Sequence, residues 1–440
     1  MAKFDFSNRD SFGSKFGIIA AAAGSAIGLG NIWRFPYVVG ENGGGAFLLV
    51  YLFFVASIGI PVMLSEFVIG RGAQRNPVGA FKKLAPGKPW YLVGLMGVGA
   101  AFMILAFYTV VAGWTLEYIY QSIVNGFKGK SPEEIGVMFD QFRLTWRPIF
   151  WFLIFMVFTA GIVIMGVKKG IERYTKILMP ILLVILVVIS VRSLTLPGSK
   201  EGLDFLFKPD FSKISAKTIL EALGQAFFSL SIGMGTLITY GSYISKKENI
   251  ASTAISVTIA DTFIAILAGV AIFPAVFAFG IPPASEEGLV YKTLPIIFQK
   301  MPGGYMFSLM FFILLGVAAL TSTISVLEVI VAYFTEELNL TRKQATWLGT
   351  TSVGVLGVLA SYFSGVFKVL NFTSASILLP LGGLLIVLFI GWYFGVRKTK
   401  DEVSNQGTLK IKIFPVYIVL VKYIAPIAIA AVFLYGLGVF

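Results

Sequence analysis

The chain has 440 residues, of which 57% are hydrophobic, 15% aromatic and only 13% charged, with a formal charge of +13. A soluble globular domain carries about 25% charged residues, so a conventional water-facing exterior is excluded, and so is disorder, which needs a composition poor in aromatic residues. With no Cys and no His, disulfides, thiolate nucleophiles, His-dependent triads, imidazole metal ligands and the commonest proton relay are excluded as well. The chain reads as an all-α polytopic membrane protein and not as an enzyme.

A spanning helix needs about 20 apolar residues. Eleven such stretches follow one another at 16–38, 46–70, 91–126, 147–166, 171–194, 217–243, 250–280, 299–335, 343–363, 374–396 and 414–440, numbered spans 1 to 11 below. Span 1 is not a signal peptide, because it is long, lacks a small-residue cleavage site and runs through Arg34 without a break. The charges sit in short loops between spans, which fits membrane topology rather than a nucleic-acid partner. With the N-terminus cytoplasmic, 21 Lys and Arg fall on inside segments and 12 on outside ones, leaving Arg34 and Lys422 within spans. The positive-inside rule then puts the N-terminus in the cytoplasm and, with an odd span count, the C-terminus outside.

Span 1 contains Gly24-Ser25-Ala26-Ile27-Gly28-Leu29-Gly30-Asn31-Ile32-Trp33-Arg34-Phe35-Pro36, and span 6 contains Gly224-Gln225-Ala226-Phe227-Phe228-Ser229-Leu230-Ser231-Ile232-Gly233-Met234-Gly235. Each Gly weakens a helix by about 1 kcal/mol relative to Ala, so both segments are poised to unwind near mid-span. Small residues also permit close helix packing, but unwound backbone at that depth is tolerated only where it lines a cavity or site. Matching breaks in the first and sixth spans divide the chain into residues 1–200 (spans 1–5), residues 201–398 (spans 6–10) and an eleventh span in residues 399–440. Five spans is an odd number, so the second repeat enters the membrane inverted, and inverted repeats with broken first helices point to a transporter with its site at the midplane. The N–H groups freed near Leu29 suit a carboxylate. The carbonyls freed at residues 24–27 suit a hard cation or an ammonium group, so a zwitterion with alkali ions satisfies both.

The run from Gly24 to Tyr37, with Glu41-Asn42-Gly43-Gly44-Gly45-Ala46-Phe47, strongly resembles the neurotransmitter:sodium symporter family, in particular its bacterial eleven-span amino-acid transporters. The resemblance continues through Pro61, Glu66, Gly70-Arg71, Tyr108, Trp114, Lys169-Gly170-Ile171-Glu172-Arg173, Gly224 through Tyr243, Leu320-Thr321-Ser322 and Glu336-Glu337. It implies two sodium sites: one from Ala26, Asn31, Ser229 and Asp261, the other from Gly24, Ile27, Ala318, Thr321 and Ser322. All are oxygen ligands, as a hard cation requires; taken alone, Thr321-Ser322 reads more readily as hydroxyls bonded back to their own helix. It also implies a substrate pocket of Ser25, Ala26, Leu29, Gly30, Ile104, Tyr108, Phe228, Ser229, Ser231, Met234, Ser322 and Val326, with the Tyr108 hydroxyl on the substrate carboxylate.

Three departures from the family carry information. Asp261 stands where chloride-dependent relatives have Asn, and Ala265 stands where they have Ser. An ionised Asp in a span costs about 2.5–3.5 kcal/mol on insertion scales, so it calls for a cationic partner, the alternative being a protonated Asp bonded to a backbone carbonyl; its carboxylate is expected to supply the charge that chloride supplies elsewhere. Met234 replaces the Phe of a leucine-selective relative, and a flexible, polarisable Met admits large hydrophobic and aromatic amino acids such as Trp, Tyr, Phe and Leu. Asn371 replaces the acid that pairs with the span 1 Arg in the family's outer gate, so the Arg34 gate should be weaker or use another acid. The inner gate is expected to pair Arg9 with Glu336, aided by Phe12 and Tyr243. Glu66 is expected to bond the unwound span 6 backbone; Glu328 is left open between a partner for Glu66 and a proton site.

The resemblance thus implies sodium-coupled, chloride-independent amino-acid symport by alternating access in the inner membrane of a prokaryote, by a monomer or weak dimer. Symport of smaller neutral amino acids or other amines is the alternative. A ligand-gated channel is less favoured, since no polar stripe marks a pore.

Overall fold

A computed structural model describes residues 9–280 and 288–439; Lys3, counted above among the inside charges, lies outside them. Apart from one isolated β-bridge, between Gly44 and Pro209, the described chain is helical. Eight helices are long and apolar enough to cross a membrane: Gly45–Ala73, Tyr91–Ile123, Arg147–Ile164, Val167–Leu194, Ile250–Ala278, Gly304–Glu337, Ser364–Phe394 and Phe414–Gly436. Span 1 supplies a ninth as a pair, Lys15–Ala26 and Gly30–Glu41, bent by 52°. Span 6 is two short helices, Ala216–Ser229 and Thr236–Gly241, and span 9 is Arg342–Tyr362, whose apolar run is diluted by Thr and Ser.

Boundaries differ from the hydropathy pattern where connecting segments fold as well. Span 10 begins at Ser364, ten residues earlier than expected, so Asn371 lies inside a helix. Span 8 begins at Gly304, because the residues before it form a separate pair of short helical segments, Leu289–Thr293 and Leu294–Lys300. Side-chain caps start several of the helices. Asn76 accepts from the N–H groups of Val78 and Gly79 to start Pro77–Leu84. Ser131 and Glu134 form a capping box for Pro132–Arg143, and Ser215 and Thr218 one for Ala216–Ser229; each cap satisfies N–H groups that a helix start leaves free.

Spans 3 and 8 form the centre, with 72% of the most apolar stretch of each buried, while spans 5 and 11 are peripheral at 28%. Span 3 packs on spans 8, 4 and 9, and the first half of span 1 crosses spans 8, 7 and 5. Glycine sets the closest approaches. A Cβ on Gly70 of span 2 would strike the Ile238 carbonyl of the second span 6 helix and come within 2.9 Å of the Ser242 nitrogen. Next to it the fully buried Arg71 bridges loops on the same face, with Nε 2.6 Å from a Glu402 carboxylate oxygen and Nη1 2.6 Å from the Glu248 carbonyl.

Because backbone cannot yield as a flexible side chain can, Gly70→Ala overpacks the span 2–span 6 contact, at a cost of about 1–3 kcal/mol. Thermal unfolding of the purified protein in detergent should show a clearly lowered Tm for Gly70→Ala and almost none for Gly99→Ala, whose Cβ would meet open space.

Candidate functional site

The first half of span 1 ends at Ala26, and Ile27 turns into an extended conformation (φ −72°, ψ 99°) before the helix resumes at Gly30. Asn31 spans the break from the far side: its Oδ1 accepts from the Gly28 N–H at 3.2 Å. Its Nδ2 donates to Asp261 Oδ1 at 2.8 Å and lies 3.1 Å from the Asp261 carbonyl and 3.2 Å from Ser229 Oγ. Ser229 Oγ donates to Asp261 Oδ2 at 2.8 Å, and the Tyr51 hydroxyl is 3.4 Å from Ser229 Oγ. Asn31, Tyr51, Ser229 and Asp261 are all fully buried. Three of the four residues expected at the first cation site thus meet through their side chains. The expected cationic partner for Asp261 is not supplied by the protein: no Lys or Arg lies within ion-pair distance of it among the described residues.

Span 6 breaks opposite this point. Ser231, Gly233 and Gly235 have φ of 52°, 88° and 77°, a left-handed region that only Gly enters freely. A Cβ on Gly233 would collide with the Leu379 carbonyl. Glu66 holds the loop, accepting from the Gly233 N–H at 2.7 Å, which is the contact expected of it.

Between the two breaks lies a cavity of about 30 Å³ lined by Ser25, Ala26, Gly30, Ile104, Tyr108, Phe228, Ser231, Met234, Ser322 and Val326, all expected there. Leu29 and Ser229 were expected in the lining too. They fall elsewhere: Leu29 lines the vestibule above, and Ser229 faces Asp261. Tyr108 accepts through its hydroxyl from the Leu29 N–H at 2.8 Å. The Ser25 carbonyl accepts from Ser231 Oγ at 3.0 Å and Ser322 Oγ at 3.3 Å. Gly28, Leu105 and Thr323 complete the lining and were missed. Gly28 is the informative one: any Cβ there would run into the hydroxyls of Ser322 and Tyr108, a constraint that no single-sequence signal beyond the Gly cluster reveals.

At the second expected cation site, Gly24 packs on Thr321, whose Cβ would be 3.3 Å from a Gly24 Cβ. Thr321 Oγ1 bonds back to the Ala318 carbonyl at 3.0 Å, the helix-internal reading of that hydroxyl. The residues are therefore adjacent, with Thr321 turned to its own helix.

On one face, Arg9 Nη2 lies 2.6 Å from Glu336 Oε1 with both side chains buried, and the guanidinium sits 4.8 Å over the Tyr243 ring. Asn76 donates to Glu336 Oε2 through its backbone N–H at 2.7 Å. Phe12 packs edge-on against Tyr243. Glu328 is not partnered by Glu66: the half-buried Arg342 clamps it with two contacts, at 3.1 and 2.5 Å, and the Tyr243 hydroxyl donates to it at 2.7 Å.

On the opposite face a vestibule of about 740 Å³ opens, with Arg34, Tyr108, Phe228, Glu221, Lys368 and Asn371 in its wall. Tyr108 and Phe228 line both vestibule and cavity and so roof the latter. Arg34 is not bonded to Asn371. It donates to Gln225 Oε1 at 3.1 Å and lies 4.7 Å over the Phe228 ring, while Gln225 Nε2 donates to the Gly30 carbonyl. Gln225 thus ties the second half of span 1 to span 6.

The model of the sodium:neurotransmitter symporter family matches residues 9–131 and 143–440. The uncharacterized sodium-dependent transporter YhdH of Bacillus subtilis (strain 168) is 39% identical over 440 residues, covering 97% of each chain. The sodium-dependent serotonin transporter of Drosophila melanogaster is 25% identical, over 98% of this chain and 76% of its own length. The crystal structure of MhsT in complex with L-phenylalanine superposes with a TM-score of 0.90 at 48% identity, over 98% of this chain and all of MhsT. The chain therefore belongs to the sodium:neurotransmitter symporter family.

Proposed function

We propose that this symporter carries large hydrophobic and aromatic L-amino acids into the cell with sodium and without chloride. The observation that carries the reading is the junction of the two helix breaks, where a roofed cavity is lined by the hydrogen-bonding Ser25, Tyr108, Ser231 and Ser322 and by the apolar Ile104, Phe228, Met234 and Val326. The Asp261 carboxylate lies behind it with only neutral protein donors. The MhsT structure, which holds L-phenylalanine, supports the substrate class.

The chemistry follows from the backbone. The Leu29 N–H and Tyr108 hydroxyl, now bonded to each other, are the donors a substrate carboxylate would share, and the freed carbonyls of the first span 1 helix would take its ammonium group. Sodium enters as cargo at Ala26, Asn31, Ser229 and Asp261, where the substrate carboxylate would complete the shell, and at Gly24, Ile27, Ala318, Thr321 and Ser322. Binding of cation and substrate at one junction makes their affinities reciprocally coupled. Asp261 supplies a fixed negative charge beside the cation, which removes the need for chloride. A cavity of about 30 Å³ holds about one water, so substrate entry needs the roof and Met234 to move. Met, with three rotatable bonds, is suited to that.

In this reading the Arg9 face is cytoplasmic and closed, the vestibule faces outside, and spans 1, 2, 6 and 7 rock against the remainder. Residues 1–200 and 201–398 form the inverted repeats and residues 399–440 the eleventh span, in a prokaryotic inner membrane, as a monomer or weak dimer.

In proteoliposomes, labelled L-phenylalanine uptake should require an inward sodium gradient, be competed by Trp, Tyr and Leu, and survive replacement of chloride by gluconate. A competition profile dominated by Gly, Ala or Pro would overturn the substrate class. For Asp261→Asn, sodium titrations of uptake should show at least a tenfold weaker sodium requirement curve, with uptake at low sodium lost; unchanged sodium dependence would remove Asp261 from the cation site.

A further inference from the structure

The vestibule holds charges that the transport reading leaves unused. Arg34, Arg143, Lys368 and Glu221 all line it. Arg34 is engaged by Gln225 and Phe228, and Arg143 lies over the rings of Trp114 and Phe139 at 5.0 and 5.6 Å. Glu221 and Lys368 remain: neither forms an ion pair with a described residue, and Glu221 acts on Arg34 only through the field of its charge. They are opposite in sign and stand on different walls, Glu221 on the first span 6 helix and Lys368 on the outer end of span 10.

Glu221 precedes Phe228 by seven residues and Lys368 precedes Ala375 by seven, and Phe228 and Ala375 both lie in the vestibule wall. At about 1.5 Å per residue each charge stands roughly 10 Å outward of those positions. The same two helices face each other across a smaller cavity, which Glu221, Gly224 and Phe227 of span 6 line together with Ala375, Ser376 and Leu379 of span 10. Pairing Glu221 with Arg34 would close nothing, because spans 1 and 6 are already tied through Gln225.

We propose that Glu221 and Lys368 form the charge pair that draws the span 6 and span 10 walls together when the vestibule closes. The acid is on span 6 and the cation on span 10, a polarity opposite to the Arg34 gate, in which Asn371 carries no charge. This rests on the alternating-access reading. Both side chains are long and solvated while the walls are apart, so the pair contributes only on closure, when water leaves the vestibule.

The test is a charge-reversal cycle in proteoliposomes, read as sodium-driven L-phenylalanine uptake. Glu221→Lys and Lys368→Glu should each slow uptake by roughly two- to fivefold, the scale of a solvated ion pair, and the double reversal should restore most of it. A double variant as slow as the worse single one, or singles indistinguishable from wild type, overturns the pair. Wild-type protein without sodium-driven uptake would instead overturn the transport reading. Because the chain has no Cys, Glu221→Cys with Lys368→Cys introduces the only thiols. A short bifunctional thiol reagent should link them faster in sodium with L-phenylalanine than in potassium without it; a rate indifferent to both also overturns the proposal.

Discussion

A fully buried carboxylate surrounded by neutral donors is the constraint on which the rest of the site depends. Asp261 receives hydrogen bonds from Asn31 and Ser229 and no ion pair from the described chain. Those bonds lower the cost of burying it but do not balance its charge, and an unbalanced charge at membrane depth costs several kcal/mol. The Asn31 donor can be there only because span 1 breaks: Asn31 reaches Asp261 from a helix that restarts at a 52° angle, and its side-chain oxygen accepts from the Gly28 N–H in the break. The break in span 6 is held in turn by Glu66 on Gly233. Two helices that their glycines already weaken are kept open by side chains from spans 2 and 7 and from span 1 itself. The electrostatic demand at Asp261 and the exposed backbone therefore occur at one place.

The two faces are stabilised by different physics. The Arg9 face is closed by ion pairs that share partners: the buried Arg9 with Glu336, the half-buried Arg342 with the buried Glu328, and Tyr243 touching both Arg9 and Glu328. Separating such pairs without rewetting leaves uncompensated charge and costs about 3–5 kcal/mol for each partner removed, so this face opens as a unit or hardly at all. The vestibule face has aromatic and amide contacts instead, Phe228 under Arg34 and Gln225 beside it, and these tolerate sliding. A closed ionic face and a looser aromatic face give the asymmetry that alternating access requires.

Much of this was legible because Gly clusters, intramembrane charges and the span 1 run carry their meaning locally. Arg9–Glu336 and Glu66–Gly233 are where the resemblance puts them. What the sequence hid depends on where side chains travel across space. Nothing in the spacing of Arg34 says that it turns to Gln225 rather than to Asn371. Glu328 finds Arg342 only because the chain reverses at Thr341, where a capping box with Gln344 starts the next helix. Gly28 is required by the hydroxyls of Tyr108 and Ser322, which come from two other spans. Hydropathy also blurred the start of span 10, since Ser364 to Phe372 is a good helix whose exposed Lys368 breaks the apolar run.

The small size of the cavity has a thermodynamic consequence. About 30 Å³ is far below the roughly 300–1,000 Å³ typical of a small-molecule site, so the packed junction and an occupied junction are different arrangements of Tyr108, Phe228 and Met234. A ligand shifts such an equilibrium only by its differential affinity for the two arrangements. Contacts made equally in both contribute nothing to the shift. The groups that can discriminate are those now bonded to one another, the Leu29 N–H with Tyr108 and the Ser25 carbonyl with Ser231 and Ser322. A carboxylate and an ammonium that replace these internal bonds conserve their number while prising the breaks apart, whereas an apolar molecule of the same size leaves them unpaired. In the proposed function the backbone bonds would therefore select a zwitterion, and the apolar lining at Ile104, Met234 and Val326 would be left to sort its side chain.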